Sequence, residues 1–218
     1  MPSESIQDYL KVVWKLEREG RVTTSGLASE LAVTPASSTA MVKKRAGMGL
    51  VEHEPYRGVR LTPAGERIAL EVVRHHRLLE LYLMKALGLR WDQVHAEAER
   101  LEHYLSEEVE SRIDAALGHP THDPHGDPIP TADLVLVAED GRCLSDVADG
   151  TEAVVRRVPD GDPELLRYLA DLGIVPDQPI VMVARAPFDG PVTIEVAGAR
   201  HAIGLALAEQ IQVAGAAA

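Results

Sequence analysis

Over the first twenty residues, apolar side chains recur at Ile6, Tyr9, Leu10, Val13, Trp14 and Leu16. That spacing is close to 3.6 and predicts an amphipathic helix over 3–20, ended by Gly20. Thr23 and Thr24 offer caps for a short second helix through Leu31, and 32–34 reads as a turn. Pro35 suits the first turn of a third helix that runs to about Ala46. Residues 50–54 and 56–61 read as two short strands around a tight loop. Thr62-Pro63 is a cap followed by a first-turn proline, opening a long helix to Leu87 that stops at Gly88. Further helices are predicted over 92–105 and, capped by Ser106, as far as Leu117.

The pattern then changes. Residues 119–130 (HPTHDPHGDPIP) are dense in Pro, Gly and Asp and read as loop. Beyond a polar link, β-branched runs at 154–155, 180–183 and 192–196 alternate with turn residues, and one helix over 163–172 interrupts them. The fold expected is mainly α with a small β part. It divides into a winged helix-turn-helix unit over 1–62, a helical unit over 63–130, a linker over 131–144 and a small β-barrel over 145–218.

Composition narrows the class. The 218 residues are 45% hydrophobic and 26% charged, as in an ordinary globular chain. Only 4% are aromatic, so Leu, Val, Ile and Ala must build the core. No apolar run approaches the roughly 20 residues that cross a bilayer. The N-terminus lacks the features of a signal peptide. Cys143 is the only cysteine, which excludes an internal disulfide and fits a reducing cytoplasm. It reads as an inert thiol, and His53 and His201 as structural or exposed. The net charge of −12 is unevenly spread: residues 1–60 balance at +2, 61–118 at −4 and 119–218 at −10. Only the first part could approach phosphate.

Three helices and a two-stranded wing, with a short turn before the third helix, form the winged variant of a DNA-reading motif. Thr34, Ala36, Ser37 and Thr39 cluster at the end of the third helix that meets base edges. Lys43, Lys44, Arg57 and Arg60 lie where backbone phosphates would pass. The plain alternative is that these hydroxyls only cap a surface helix. Arg45 stands where an apolar residue is expected.

The strongest chemical signal is HAEAERLEHYL. His95, Glu99, Glu102 and His103 fall at i, i+4, i+7 and i+8, one face of a predicted helix. His76 and Glu80 repeat the i, i+4 spacing on the helix before. Such charges are often a solvated face laced with ion pairs. Yet neither Glu99 nor Glu102 has a Lys or Arg three or four positions away. Two carboxylates about 5 Å apart repel by roughly 3 kcal/mol at an effective dielectric near 20. A divalent cation would relieve this. Oxygen and imidazole without thiolate favour manganese(II), with iron(II) the close competitor.

IQDYLKVVWKLE, the third helix, YRGVRLTPAGERIA, RHHRLLE, VHAEAERLEHYLSEEVESRI and HGDPIP together resemble the diphtheria toxin repressor / manganese transport regulator family over nearly the full length. The resemblance implies a winged-helix domain, a helical metal-binding and dimerisation domain, and a C-terminal barrel of the FeoA type. It implies a homodimeric repressor of metal-homeostasis genes that binds a palindromic double-stranded operator when metal is plentiful. It places a primary site on Asp8, Glu99, Glu102 and His103, with His76 close by. Iron-responsive members carry Met and Cys where this chain has Asp8 and Glu99, and manganese-responsive members carry Asp and Glu. Two-metal manganese regulators have Glu where this chain has Lys11. A second site is implied in one version by His76, Glu80 and His95, and in another by Asp123, His125 and Asp160. His122 is a further candidate in the loop. Arg157 falls where iron-responsive members use a barrel ligand, which leaves Asp160 as the barrel's contribution.

A metal joining Asp8 to the distant stripe would fix the angle of the reading head. Leu83, Leu87, Leu89 and Trp91 are the residues expected at the dimer seam. Three rival readings remain: a metal-dependent hydrolase, for which no enzyme motif is present; a winged-helix regulator of an organic ligand; and a metal buffer.

Overall fold

The computed structural model describes residues 2–54, 58–137 and 141–215. Arg57, proposed at the wing, lies outside them. Helices α1 (Glu4–Glu19), α2 (Thr24–Glu30) and α3 (Pro35–Gly47) precede an antiparallel wing of β1 (Val51–Glu54) and β2 (Gly58–Leu61). The long α4 (Pro63–Leu87) follows, then α5 (Val94–Leu101) and α6 (Glu107–Ala116). The side chains of Thr23, Thr34 and Thr62 each accept from a backbone N–H three residues on, so the helices that begin at Thr24, Pro35 and Pro63 start where their cap residues dictate. Gly88 closes α4 in the left-handed conformation, at φ 71°.

The second half holds β3 (Arg142–Cys143), β4 (Glu152–Arg157), α7 (Pro163–Asp171), β5 (Pro179–Arg185), β6 (Val192–Val196), β7 (Ala199–Ile203), α8 (Leu205–Ala208) and β8 (Gln212–Gly215). The strands form one sheet in the order β3-β8-β4-β5-β6-β7. Register shifts at Val155/Arg157 and Met182/Ala184 bend it around a core of Val155, Leu166, Leu169, Ile180, Met182 and Ile194.

Packing crosses the expected boundaries at two places. The first core joins Tyr9, Leu10, Val13, Leu27 and Val42 to Ala69, Leu70 and Val73 of α4. Leu78, Leu79 and Leu83 of the same helix belong to the next core, with Val94, Ala98 and Ile113. α4 is therefore a beam shared by the two cores on either side of the expected boundary at residue 62. The expected linker, 131–144, also makes contacts on both sides. Leu134 and Leu136 pack back on the first core, and β3 pairs with β8.

The expected seam residues are also mostly used inside the chain. Leu83 is buried, Leu89 packs on the second core and Trp91 on the barrel core. Leu87 alone of the four is strongly exposed.

Arg45 has an explanation that sequence could not supply. It is buried, with its guanidinium 5.0 Å from the Tyr9 ring centroid, and its Nη2 donates to the Ser5 carbonyl at 3.0 Å. The residue thus ties α3 to the start of α1, and its aliphatic stem fills the place of an apolar side chain.

Candidate metal centre

On α3, Ser38, Val42 and Arg45 are buried, whereas Thr34, Ala36, Ser37, Thr39, Lys43 and Lys44 face solvent. All three hydroxyls are engaged locally, Ser37 Oγ lying 2.9 Å from Thr34 Oγ1. Thr34 caps the helix, and Thr39 Oγ1 donates to the Pro35 carbonyl at 2.9 Å. Arg60 on the wing is exposed and lies 4.0 Å from Glu17.

The titratable residues gather where α1, α4, the end of α5, the loop after α6 and the barrel meet. The four-residue stripe does not stay on one helix. α5 ends at Leu101, and Glu102 and His103 belong to a 3-10 turn, Glu102–Tyr104. The donors gather in two pockets.

In the first pocket, α1 faces this turn. Lys11 Nζ donates to Glu99 Oε1 at 2.7 Å and to both Glu102 oxygens, at 2.9 and 2.8 Å. His76 Nδ1 is 2.5 Å from Glu102 Oε2 and its Nε2 is 3.0 Å from Glu80 Oε1. With carboxylate on both sides, both ring nitrogens donate. Burial alone would lower the His76 pKa, but Glu80 and Glu102 raise it to about 9. Asp8 pairs with His103 Nε2 at 2.8 Å, and that nitrogen is 3.7 Å from Glu102 Oε1. Burial and the carboxylates of Glu102 and Glu99 raise the Asp8 pKa against the pull of His103. Lys11 is the cation sequence reasoning missed. It is on another helix, although its i+3 placement after Asp8 puts both on one face of α1.

The second pocket is the deeper. Glu80, Asp123 and His125 are all buried, and donor atoms of the three lie within 4.8 Å of one another. Glu80 Oε2, Asp123 Oδ2 and His125 Nδ1 have no hydrogen-bond partner. Glu80 Oε2 and His125 Nδ1 are 3.7 Å apart, too far for a hydrogen bond. Donors each about 2.1 Å from one ion would be spaced about 3–4 Å. Burying such atoms unpaired costs about 1–3 kcal/mol each, and a cation among them removes that cost. The residues therefore fit a metal.

The surrounding contacts orient these donors. His125 Nε2 donates to the Trp91 carbonyl at 3.0 Å, which leaves Nδ1 turned into the pocket. Asp123 Oδ1 accepts from the His125 and Asp127 backbone N–H groups, leaving Oδ2 for the pocket. Gly126, at φ 92°, lets the loop press on β4, where an added Cβ would fall 1.8 Å from the Arg156 carbonyl oxygen. Burial and the charges of Glu80 and Asp127 push the Asp123 pKa well up. Glu80 goes the other way: burial opposes its charge, but His76, His125 and His95 hold its pKa well below the usual range.

His95 and Asp160 lie at the rim. His95 Nδ1 is 2.9 Å from Glu80 Oε1 and 3.6 Å from Asp160 Oδ2. His122 joins neither pocket, its ring contacting the Thr121 hydroxyl. Arg157 pairs with Asp127 at 3.3 Å.

Comparison with known proteins gives the family of the chain. Residues 1–59 match the model of the iron dependent repressor N-terminal DNA binding domain. Residues 62–131 match that of the iron dependent repressor metal binding and dimerisation domain, and 142–215 that of the FeoA domain. The iron-dependent repressor IdeR of Mycobacterium tuberculosis is 34% identical over 208 residues, covering 89% of this chain and 90% of that protein. The chain belongs to the diphtheria toxin repressor / manganese transport regulator family of metal-dependent repressors. Among solved members, a manganese-dependent transcriptional repressor in complex with manganese superposes with a TM-score of 0.90 at 42% identity, covering 96% of this chain and 99% of that one. ScaR with bound Cd2+ gives 0.85 at 30% identity, covering 98% and 100%. The chain has the family's full set of units. No described helix is long and apolar enough to cross a membrane.

Proposed function

We propose that this chain is a manganese(II)-activated repressor that binds a palindromic double-stranded operator as a homodimer in the cytoplasm, and that it is not an enzyme. The observation that carries the reading is the convergence of Glu80 Oε2, Asp123 Oδ2 and His125 Nδ1, buried and unpartnered. Oxygen donors with one or two imidazoles and no thiolate suit manganese(II). Iron(II) is the second reading, because relatives such as IdeR are iron-dependent.

Glu80, Asp123 and His125 hold one ion, with His95 and Asp160 at its rim and His76 beside it. Asp8, Glu99, Glu102 and His103 form a second site. A bound ion supplies positive charge that the carboxylates share across domains. Asp160 and His125 thereby link the barrel and loop to α4, and Asp8 links the head to the turn after α5. The head spans α1 to the first half of α4, and the barrel begins at β3.

In a dimer, two heads one duplex turn apart read both half-sites through the exposed end of α3, with Thr34, Ala36, Ser37 and Thr39 at base edges. Lys43, Lys44, Arg57 and Arg60 lie along phosphates. Metal and DNA then strengthen each other's binding by one common factor.

The test is a gel-shift series on a promoter fragment with manganese, iron, zinc and chelator in separate lanes. Retardation with manganese and release by chelator is the expected result. Retardation indifferent to chelator would favour an organic effector and overturn the reading.

A further inference from the structure

The first pocket contains its own cation. Lys11 Nζ touches three carboxylate oxygens within 2.9 Å, and Glu102, whose side chain is fully buried, offers it both of its oxygens. An ammonium has no lone pair and cannot serve as a ligand. An ion bound by Glu99 and Glu102 must therefore take oxygens that Lys11 holds. The Lys11 side chain is 19% exposed, so it has a way out to water. Asp8 precedes it by three residues on α1, already in contact with His103, and Asp8, Glu102 and His103 present donor atoms within 4.8 Å of one another.

Building on the function proposed above, we infer that Lys11 is an intramolecular competitor for metal: it ties α1 to Glu99 and Glu102 until a divalent cation displaces it and the tie passes to Asp8. Both ties run between the same two bodies, one helical turn apart. The exchange therefore moves the anchor point along α1 rather than creating a link where none existed. In the second pocket the protein cation, Arg77, stands 3.7 Å from Asp123 Oδ2 and is hydrogen-bonded to Asp127 instead, so the two sites fill in order, the Glu80 pocket first. Lys11 sets the metal concentration at which the other follows.

Calorimetric titration of the full-length chain with manganese chloride, after chelator treatment and dialysis, tests this. Wild type should show two unequal binding events. Lys11→Gln should tighten the weaker event by about tenfold or more, the scale of one removed charge contact. The stronger event should stay within about twofold. Lys11→Arg, which keeps a cation, should stay near wild type. In chelator, Lys11→Gln should also melt at a lower temperature than wild type, because Glu102 loses its partner, and added manganese should raise its midpoint more.

A weaker event in Lys11→Gln that is no tighter than in wild type would overturn the inference. Glu102→Gln separates that failure from failure of the site itself. If wild type and Glu102→Gln bind the same number of ions with the same affinities, the pocket is not a metal site and Lys11 has nothing to compete with.

Discussion

Two pockets built from the same residue types, a few ångströms apart and joined by His76, solve the problem of buried carboxylate in opposite ways. Around Glu102 the negative charge is met by an ammonium and an imidazolium from the protein itself. Around Asp123 one oxygen is held by backbone N–H groups and the other is left without a hydrogen bond, with the Arg77 guanidinium 3.7 Å away. Composition alone thus does not tell how readily a cluster takes a cation. What decides is whether a protein cation hydrogen-bonds the same oxygens, as Lys11 does at Glu102 and Arg77, 3.7 Å from Asp123 Oδ2, does not.

The comparison makes predictions that differ in size. The largest concerns the deep pocket. Asp123→Asn or Glu80→Gln should weaken its manganese binding by about a hundredfold or more, because each removes a charged donor with no protein substitute. Calorimetry that found the stronger event intact in both variants would erase the distinction between the pockets. Next, Glu102→Gln should remove the weaker event and leave the stronger within about twofold. Loss of both events together would mean that the pockets are one site.

A pH series is expected to have a smaller effect. His76 and His125 have pKa values raised to about 9 from an ordinary 6.5. A group with a raised folded-state pKa stabilises fully below its unfolded value and loses that contribution as pH climbs through the folded one. In chelator, the melting midpoint should therefore fall by several degrees between pH 6.5 and about 9. A midpoint rising over that window would reverse the charge assignment of both pockets. The smallest effect is a control outside them. Arg45→Leu should cost the reading head about 1 kcal/mol, from the lost Ser5 hydrogen bonds and Tyr9 contact. The two manganese affinities should remain as they were, measured by urea unfolding and calorimetry.

Much of this was legible in the chain. The helices of the head and α4 were readable because Thr23, Thr34 and Thr62 sit before apolar periodicity and Pro35 and Pro63 follow two of the caps. β7 and β8 were not, since ARHAI and QVAG carry Ala, Arg and Gly where a strand signal needs β-branched residues. The 3-10 turn at Glu102 was hidden for a related reason: i+7 and i+8 spacing looks helical whether or not the last turn tightens. The Glu and His residues of the first pocket were visible as a helical pattern. Lys11 escaped because charge balance was sought along a single helix, and its partners are 88 and 91 residues away. Asp123, His125 and Asp160 came from family resemblance alone, as a Pro- and Gly-rich loop has no periodicity to interpret.

The seating of the 123–126 loop on the barrel has a consequence for biosynthesis. The Val158 backbone N–H donates to the His125 carbonyl at 3.0 Å, and Gly126 lies flush against Arg156. A ribosome delivers the head and α4 first, but β4 needs β5 and β8 beside it, and both follow it along the chain. The wall that aims His125 is thus completed only after β8 has been made. A half-made polypeptide would offer Glu80 without its oriented partners, so ion capture at the deep pocket is a property of the finished molecule.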